Sequence, residues 1–169
     1  MNHIHGSNSM DGHPHGMMRR DDREITDRNE IDDIINSSKV MYLSLADNNT
    51  PFCVPVFYAY DGQYLYFHSA KGGSKIDILN RNNQVCFVIS TQQDVIESDL
   101  ACNFEAKHKT AIGTGSASFI ENKEEKIAVL DKIVGLFTTK KFDYPDANLK
   151  STLVVKIAIE SVKGKKHGF

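Results

Sequence analysis

The residues best suited to chemistry lie in one short run, Leu65-Tyr66-Phe67-His68-Ser69-Ala70-Lys71-Gly72-Gly73-Ser74-Lys75-Ile76-Asp77-Ile78-Leu79. Tyr66 and Phe67 favour a strand, and the glycine pair lets the backbone turn sharply or approach a ligand. Ser74 is placed to cap a helix whose first turn carries Lys75, with Ile76 and Leu79 on its inner face. Free N–H groups, a hydroxyl and an ammonium at a helix start suit a phosphate. An ordinary strand–turn–helix with a solvated lysine has the same pattern. The G-x-x-x-x-G-K-[ST] spacing of a nucleoside-triphosphate loop is absent from the run.

Composition limits what surrounds this run. The chain has 169 residues, of which 25% are charged and 40% hydrophobic, as expected for one soluble domain with a substantial core. A net charge of -2 without a basic stripe speaks against nucleic acid and membrane surfaces as partners. The sequence has neither a transmembrane run nor a signal-peptide core, and the expected location is cytoplasmic. Cys53, Cys86 and Cys102 are odd in number and widely spaced, so we expect reduced thiols, with Cys53 and Cys86 buried in strands. No metal site is expected, because cysteines and histidines lack ligand spacing.

Two parts are expected. Residues 1–17 carry His3, His5, His13 and His15 with no apolar period, and read as a disordered extension or leader. A metal-binding tail is the functional alternative. Residues 18–169 form the single domain. Asp27 and Glu30 fit a capping box before a helix bearing Ile31, Ile34 and Ile35. Strands follow over 40–46, 52–60, 63–69, 84–90, 110–120 and 153–159, interrupted by an irregular polar loop over 91–106. Pro55 lies inside a strand, which demands an edge, a bulge or a ligand on its N–H side. Ala111, Gly113, Gly115 and Ala117 leave one strand face bare, either for a flat ligand or for the inside of a tightly curved barrel. Asn122 and Glu125 cap a second long helix, and 163–169 read as a basic, frayed end. The predicted fold is mainly β: a six-stranded antiparallel split barrel with peripheral helices.

In order along the chain, Met18-Arg19-Arg20-Asp21-Asp22-Arg23-Glu24-Ile25, Val54-Pro55-Val56, Leu65-Tyr66-Phe67-His68-Ser69-Ala70, Val85-Cys86-Phe87 and Ala111-Ile112-Gly113-Thr114-Gly115 resemble a known family. It is the FMN-binding split barrels related to pyridoxamine 5′-phosphate oxidase, and within them the nitroimidazole-resistance branch. The resemblance implies FMN as cofactor, with Ser69, Ala70, Ser74 and Lys75 at its phosphate and Val54, Pro55 and Val56 along its ring. Ser74 stands where relatives keep an arginine. Lys71 could restore the charge, as could Lys109 and Thr110 of a neighbouring chain. The resemblance also implies a homodimer with interfacial flavin sites, the second chain contributing Thr110 and the bare strand face. The implied activity is reduction of small acceptors such as nitroaromatics, with a nicotinamide nucleotide as donor and His68 beside the reacting centre. Authentic pyridoxamine-phosphate oxidation is not expected, since the chain ends Gly164-Lys165-Lys166-His167-Gly168-Phe169 without the oxidase's Arg-Leu-x-Pro segment. The alternative is a non-catalytic flavin or haem carrier or sensor, with His68 or His108 as iron ligand.

Overall fold

A computed structural model describes residues 16–169, so the expected extension over 1–17 lies almost wholly outside the described residues. After a turn of 3-10 helix, Asp21–Arg23, come β1 (Glu24–Ile25) and α1 (Arg28–Ser37). Asp27 caps α1 by accepting from the Asn29 N–H at 2.9 Å, and Ile31, Ile34 and Ile35 are buried. Glu30 does not complete the capping box. Its carboxylate accepts from Lys166 at 2.8 Å and pairs with Lys109 at 3.1 Å, and two ammonium groups outcompete one backbone N–H.

β2 (Val40–Asp47) and β3 (Thr50–Phe57) form a hairpin closed by Asn48-Asn49. Both turn residues have positive φ, 49° and 63°, a conformation asparagine tolerates and one that matches the strands' twist. β4 (Ala59–Tyr60) pairs with β5 (Tyr64–Ala70), which leads into α2 (Ser74–Arg81). Then come β6 (Gln84–Ile96), β7 (Glu105–Phe119), α3 (Lys123–Gly135), α4 (Asp146–Ser151) and β8 (Thr152–His167). One antiparallel sheet runs β3-β2-β6-β7-β8-β5-β4, with β1 added to β8. Six of these strands are long, as expected, and two short ones supplement them.

The sheet curls until its two edges approach, yet no ladder joins β3 to β5. That is the split of a split barrel. The chain crosses it at Tyr58, between β3 on one edge and β4 on the other. Tyr58 is buried, and its hydroxyl donates to the carbonyl of Ile35 in the last turn of α1, which no helical N–H can satisfy. Burial pushes its phenol pKa upward. Tyr58→Phe should cost about 1–3 kcal/mol by stranding that carbonyl. Thermal denaturation should show it as a fall of roughly 2–4 °C per kcal/mol. An unchanged midpoint would remove Tyr58 from this role.

Inside the barrel lie Met41, Leu43, Phe67, Phe87, Ile89 and Ile157. A second cluster, including Tyr66, Leu130, Ile133, Leu149 and Val154, joins the sheet to α3 and α4. Gly113 and Gly115 face the barrel interior. A Cβ on Gly113 would meet the Phe87 ring at 2.3 Å, and one on Gly115 would meet the Ala158 carbonyl oxygen at 2.3 Å. The bare face is therefore filled within the chain, which of the two expected readings favours the inside of a tightly curved barrel over a flat ligand.

Other expectations change too. The strand expected over 52–60 is broken at Tyr58. The irregular segment expected over 91–106 shrinks, because β6 continues to Ile96 through a bulge between Thr91 and Asp94 and β7 begins at Glu105. Its polar side chains hid an extended backbone. The end expected to fray is instead paired, with Lys163, Lys165, Lys166 and His167 laddered to β7. The cysteines are unpaired but not buried: Cys53 and Cys102 are exposed and Cys86 is half-buried, since Cys53 and Cys86 alternate onto the outer face. Among the described residues no helix is long and apolar enough to cross a membrane.

Candidate functional site

β5 alternates strictly. Leu65 and Phe67 point into the barrel, Ser69 follows on the same side half-buried, and His68 lies exposed on the other. The strand ends at Ala70, and Gly73 at φ 110° turns the chain into α2. Gly73, not Ser74, is the N-cap residue, and no side chain caps the helix. Ser74 thereby becomes the first helical residue. The Ser74 and Lys75 N–H groups have no helical partner and stay available, while that of Ile76 donates to the Gly73 carbonyl at 2.9 Å.

Lys75 is half-buried and rests over the Phe67 ring, its Nζ 5.3 Å from the centroid. Burial alone lowers its pKa, and no carboxylate offsets that. His68 is also held below its ordinary value, first by partial burial of the ring and then by the Lys75 charge. Its imidazole is therefore neutral near pH 7, with one nitrogen to donate and one to accept. Lys75, Ser69, Ser74 and the free N–H groups form a donor set with an uncompensated positive charge, which fits a phosphate monoester.

The fold gathers His68, Ser69, Ala70, Ser74 and Lys75 at one strand–helix junction. β3, which carries Val54, Pro55 and Val56, approaches β5 across the split. Val56 is buried and Val54 packs on the core, while Pro55 faces outward beside Tyr42. Because β3 is an edge strand, the missing N–H of Pro55 breaks no ladder.

Lys109 and Thr110 do not join this site within one chain. They pair with Lys166 and Lys165, whereas His68 pairs with Val154, so roughly 35 Å of extended strand separates them along β8. Lys109 is ion-paired to Glu30, and Thr110 shares a hydrogen bond with Ser90 at 3.1 Å. His108 lies at that same remote end. Among the described residues, no group of three or more His, Cys, Asp or Glu side chains is arranged to hold a metal.

Sequence reasoning missed the surroundings of Lys71. Phe119, Lys123, Lys126, Leu149, Lys150 and Leu153 converge there from four elements. Only the Lys123/Lys126 spacing behind the Asn122 cap hinted at it, and helix spacing does not say what a helix faces.

Comparison with known proteins agrees with this fold. The family model for pyridoxamine 5′-phosphate oxidase matches residues 27–166. The chain belongs to that family. Within the pyridoxamine 5′-phosphate oxidase family it is similar to a candidate 5-nitroimidazole antibiotic resistance protein from Bacteroides thetaiotaomicron. The two share 31% identity over 84% of this chain and 85% of that one, with a TM-score of 0.76. Its fold is also similar to a flavocytochrome from Azotobacter vinelandii, at 17% identity and TM-score 0.84, covering 94% of this chain and 76% of that one. An FAD and haem binding protein from Mycobacterium smegmatis gives 17% and 0.77, covering 87% and 75%. No curated protein matches the chain.

Proposed function

We propose that this protein binds FMN at the β5–α2 junction and acts as a flavin-dependent reductase of small acceptors such as nitroaromatics. The observation that carries the reading is Lys75, a half-buried ammonium with no compensating carboxylate beside free helix N–H groups. The 31% identical relative supports the choice of acceptor class. A bound flavin supplies hydride and electron chemistry, and a nicotinamide nucleotide is the proposed donor. The chain's own residues do the rest. Lys75, Ser69 and Ser74 hold the phosphate, and the β3 backbone at Val54–Val56 lies along the ring. His68, neutral near pH 7, is placed to donate to or accept from a ligand at the strand end.

A homodimer is part of the proposal. Pro55, Tyr42, Val88 and Ile112 form one row across the outer face of β3, β2, β6 and β7, and Tyr42 is 53% exposed there. Such a face suits a second copy. That copy would have to bring Thr110 to the site, because Lys109 is already engaged by Glu30. Three unpaired thiols suit a reducing cytoplasm.

Protein supplied with FMN, a nicotinamide nucleotide and a nitroimidazole should bleach nitro absorbance faster than free FMN does. A rate equal to the free-flavin background would count against reductase activity. The visible spectrum of the fresh protein separates the non-catalytic alternatives, with paired flavin bands expected and a Soret band indicating haem.

A further inference from the structure

A cavity of about 580 Å³ opens between α2, the end of β7, α3, α4 and the start of β8. Its floor is apolar, built from Ile76, Phe119, Leu149 and Leu153. Four ammonium groups surround it, those of Lys71, Lys123, Lys126 and Lys150, against the two carboxylates of Glu121 and Asp146. Asp146 neutralises Lys123 at 2.7 Å. Lys126 donates to the carbonyls of Leu149 at 3.3 Å and Thr152 at 3.0 Å, which fix its position but leave its charge whole. Lys71 and Lys150 form no ion pair with a described residue, as the ion pairs nearby are Lys123–Asp146 and Lys156–Glu125. A chain of net charge -2 thus carries a concavity with surplus positive charge.

We propose that this cavity binds an organic phosphate of nucleotide size. A ring would lie on the apolar floor, and the phosphate would sit among Lys71, Lys126 and Lys150. The volume falls within the roughly 300–1,000 Å³ usual for small-molecule sites, and an apolar floor with a few convergent polar groups is their usual lining. Lysine serves as an adaptable point charge for phosphate. The position also matters. Leu153 lies opposite Ser69 in the β5–β8 ladder, so the cavity wall and the Ser69 hydroxyl share one face of the sheet. Two sources provide this chemistry: the far nucleotide of a dinucleotide flavin whose first phosphate meets Lys75, or a separate nucleotide. The cavity's charge and shape do not depend on flavin binding elsewhere.

AMP is the probe, titrated by calorimetry into the full chain, with adenosine as the phosphate-free control. AMP should bind at least tenfold more tightly than adenosine. The double variant Lys71→Ala/Lys150→Ala should weaken AMP by roughly tenfold while leaving thermal stability unchanged, since both side chains are exposed. Lys126 stays intact because it bonds the backbone. Lys75→Ala should leave AMP binding alone, which separates this site from the flavin phosphate site. An FAD-over-FMN preference lost in the double variant supports the proposal with the flavin's own tail as ligand. AMP binding to FMN-saturated protein supports it with a separate nucleotide. AMP binding no tighter than adenosine, or equal in the double variant, overturns it.

Discussion

Lys75→Ala should weaken FMN binding by roughly 10- to 100-fold, the loss of one charge-assisted contact of about 1.5–3 kcal/mol. A fluorescence titration of the flavin, wild type beside variant, measures it. The size follows from the isolation of Lys75. Its ammonium is half-buried over Phe67, with nothing but burial acting on its pKa. A pKa lowered in the folded state means that holding the charge costs stability at neutral pH, where the unfolded chain carries it freely. A phosphate dianion relieves that cost. The flavin-free variant should therefore melt no lower than wild type while its flavin affinity falls. Equal affinity would remove Lys75 from the site.

His68 adds a pH signature. Its pKa lies below the ordinary 6.5, so its contribution to stability is present above that value and lost as pH falls through the lowered one. A nearby phosphate acts in the opposite direction and raises it. FMN binding should thus take up protons between those two values, and calorimetry in buffers of different ionisation enthalpy should register less uptake in His68→Gln.

Gly115→Ala should be the most damaging single-atom change in the barrel. The added Cβ would lie 2.3 Å from the Ala158 carbonyl oxygen and 3.0 Å from Ile157 Cγ2. Backbone cannot rotate away as a side chain can, and β8 at Ala158 is held on both sides, by β7 and by β5. Overpacking of this kind costs about 1–3 kcal/mol and more where the neighbour is rigid. A fall in melting temperature of roughly 2–12 °C follows for a chain of this length. Gly72→Ala is the control, because nothing lies within 4 Å of its added Cβ and its φ is ordinary. Equal melting of the two variants would mean that the barrel relaxes around residue 115.

What the sequence disclosed and what it concealed divide along physical lines. Strand periodicity, the Asn48-Asn49 turn and the Asp27 and Asn122 caps are local, and each appears where its residues put it. The β5–α2 junction was legible because a strand, a glycine turn and a helix follow one another in sequence. Longer-range facts were not. The bare strand face around Gly113 fits a ligand as well as it fits Phe87 from another strand, and only the barrel's curvature decides. Glu30 reads as a capping residue until Lys109 and Lys166, remote in sequence, arrive beside it. Lys71 and Lys150 are ordinary surface lysines until the fold brings them to one cavity.

The position of β8 has a consequence for how the protein is made. This strand lies between β7 and β5 and also receives β1, yet among the described elements it is synthesised last. Until Thr152–His167 leaves the ribosome, β5 and β7 each expose an unpaired edge, and the inner apolar faces of both remain open. Local hairpins such as β2–β3 can form early, but the barrel cannot close around them. Nascent chains are therefore at their most aggregation-prone just before β8 emerges, when the other hydrophobic strands are present but their shared partner is not.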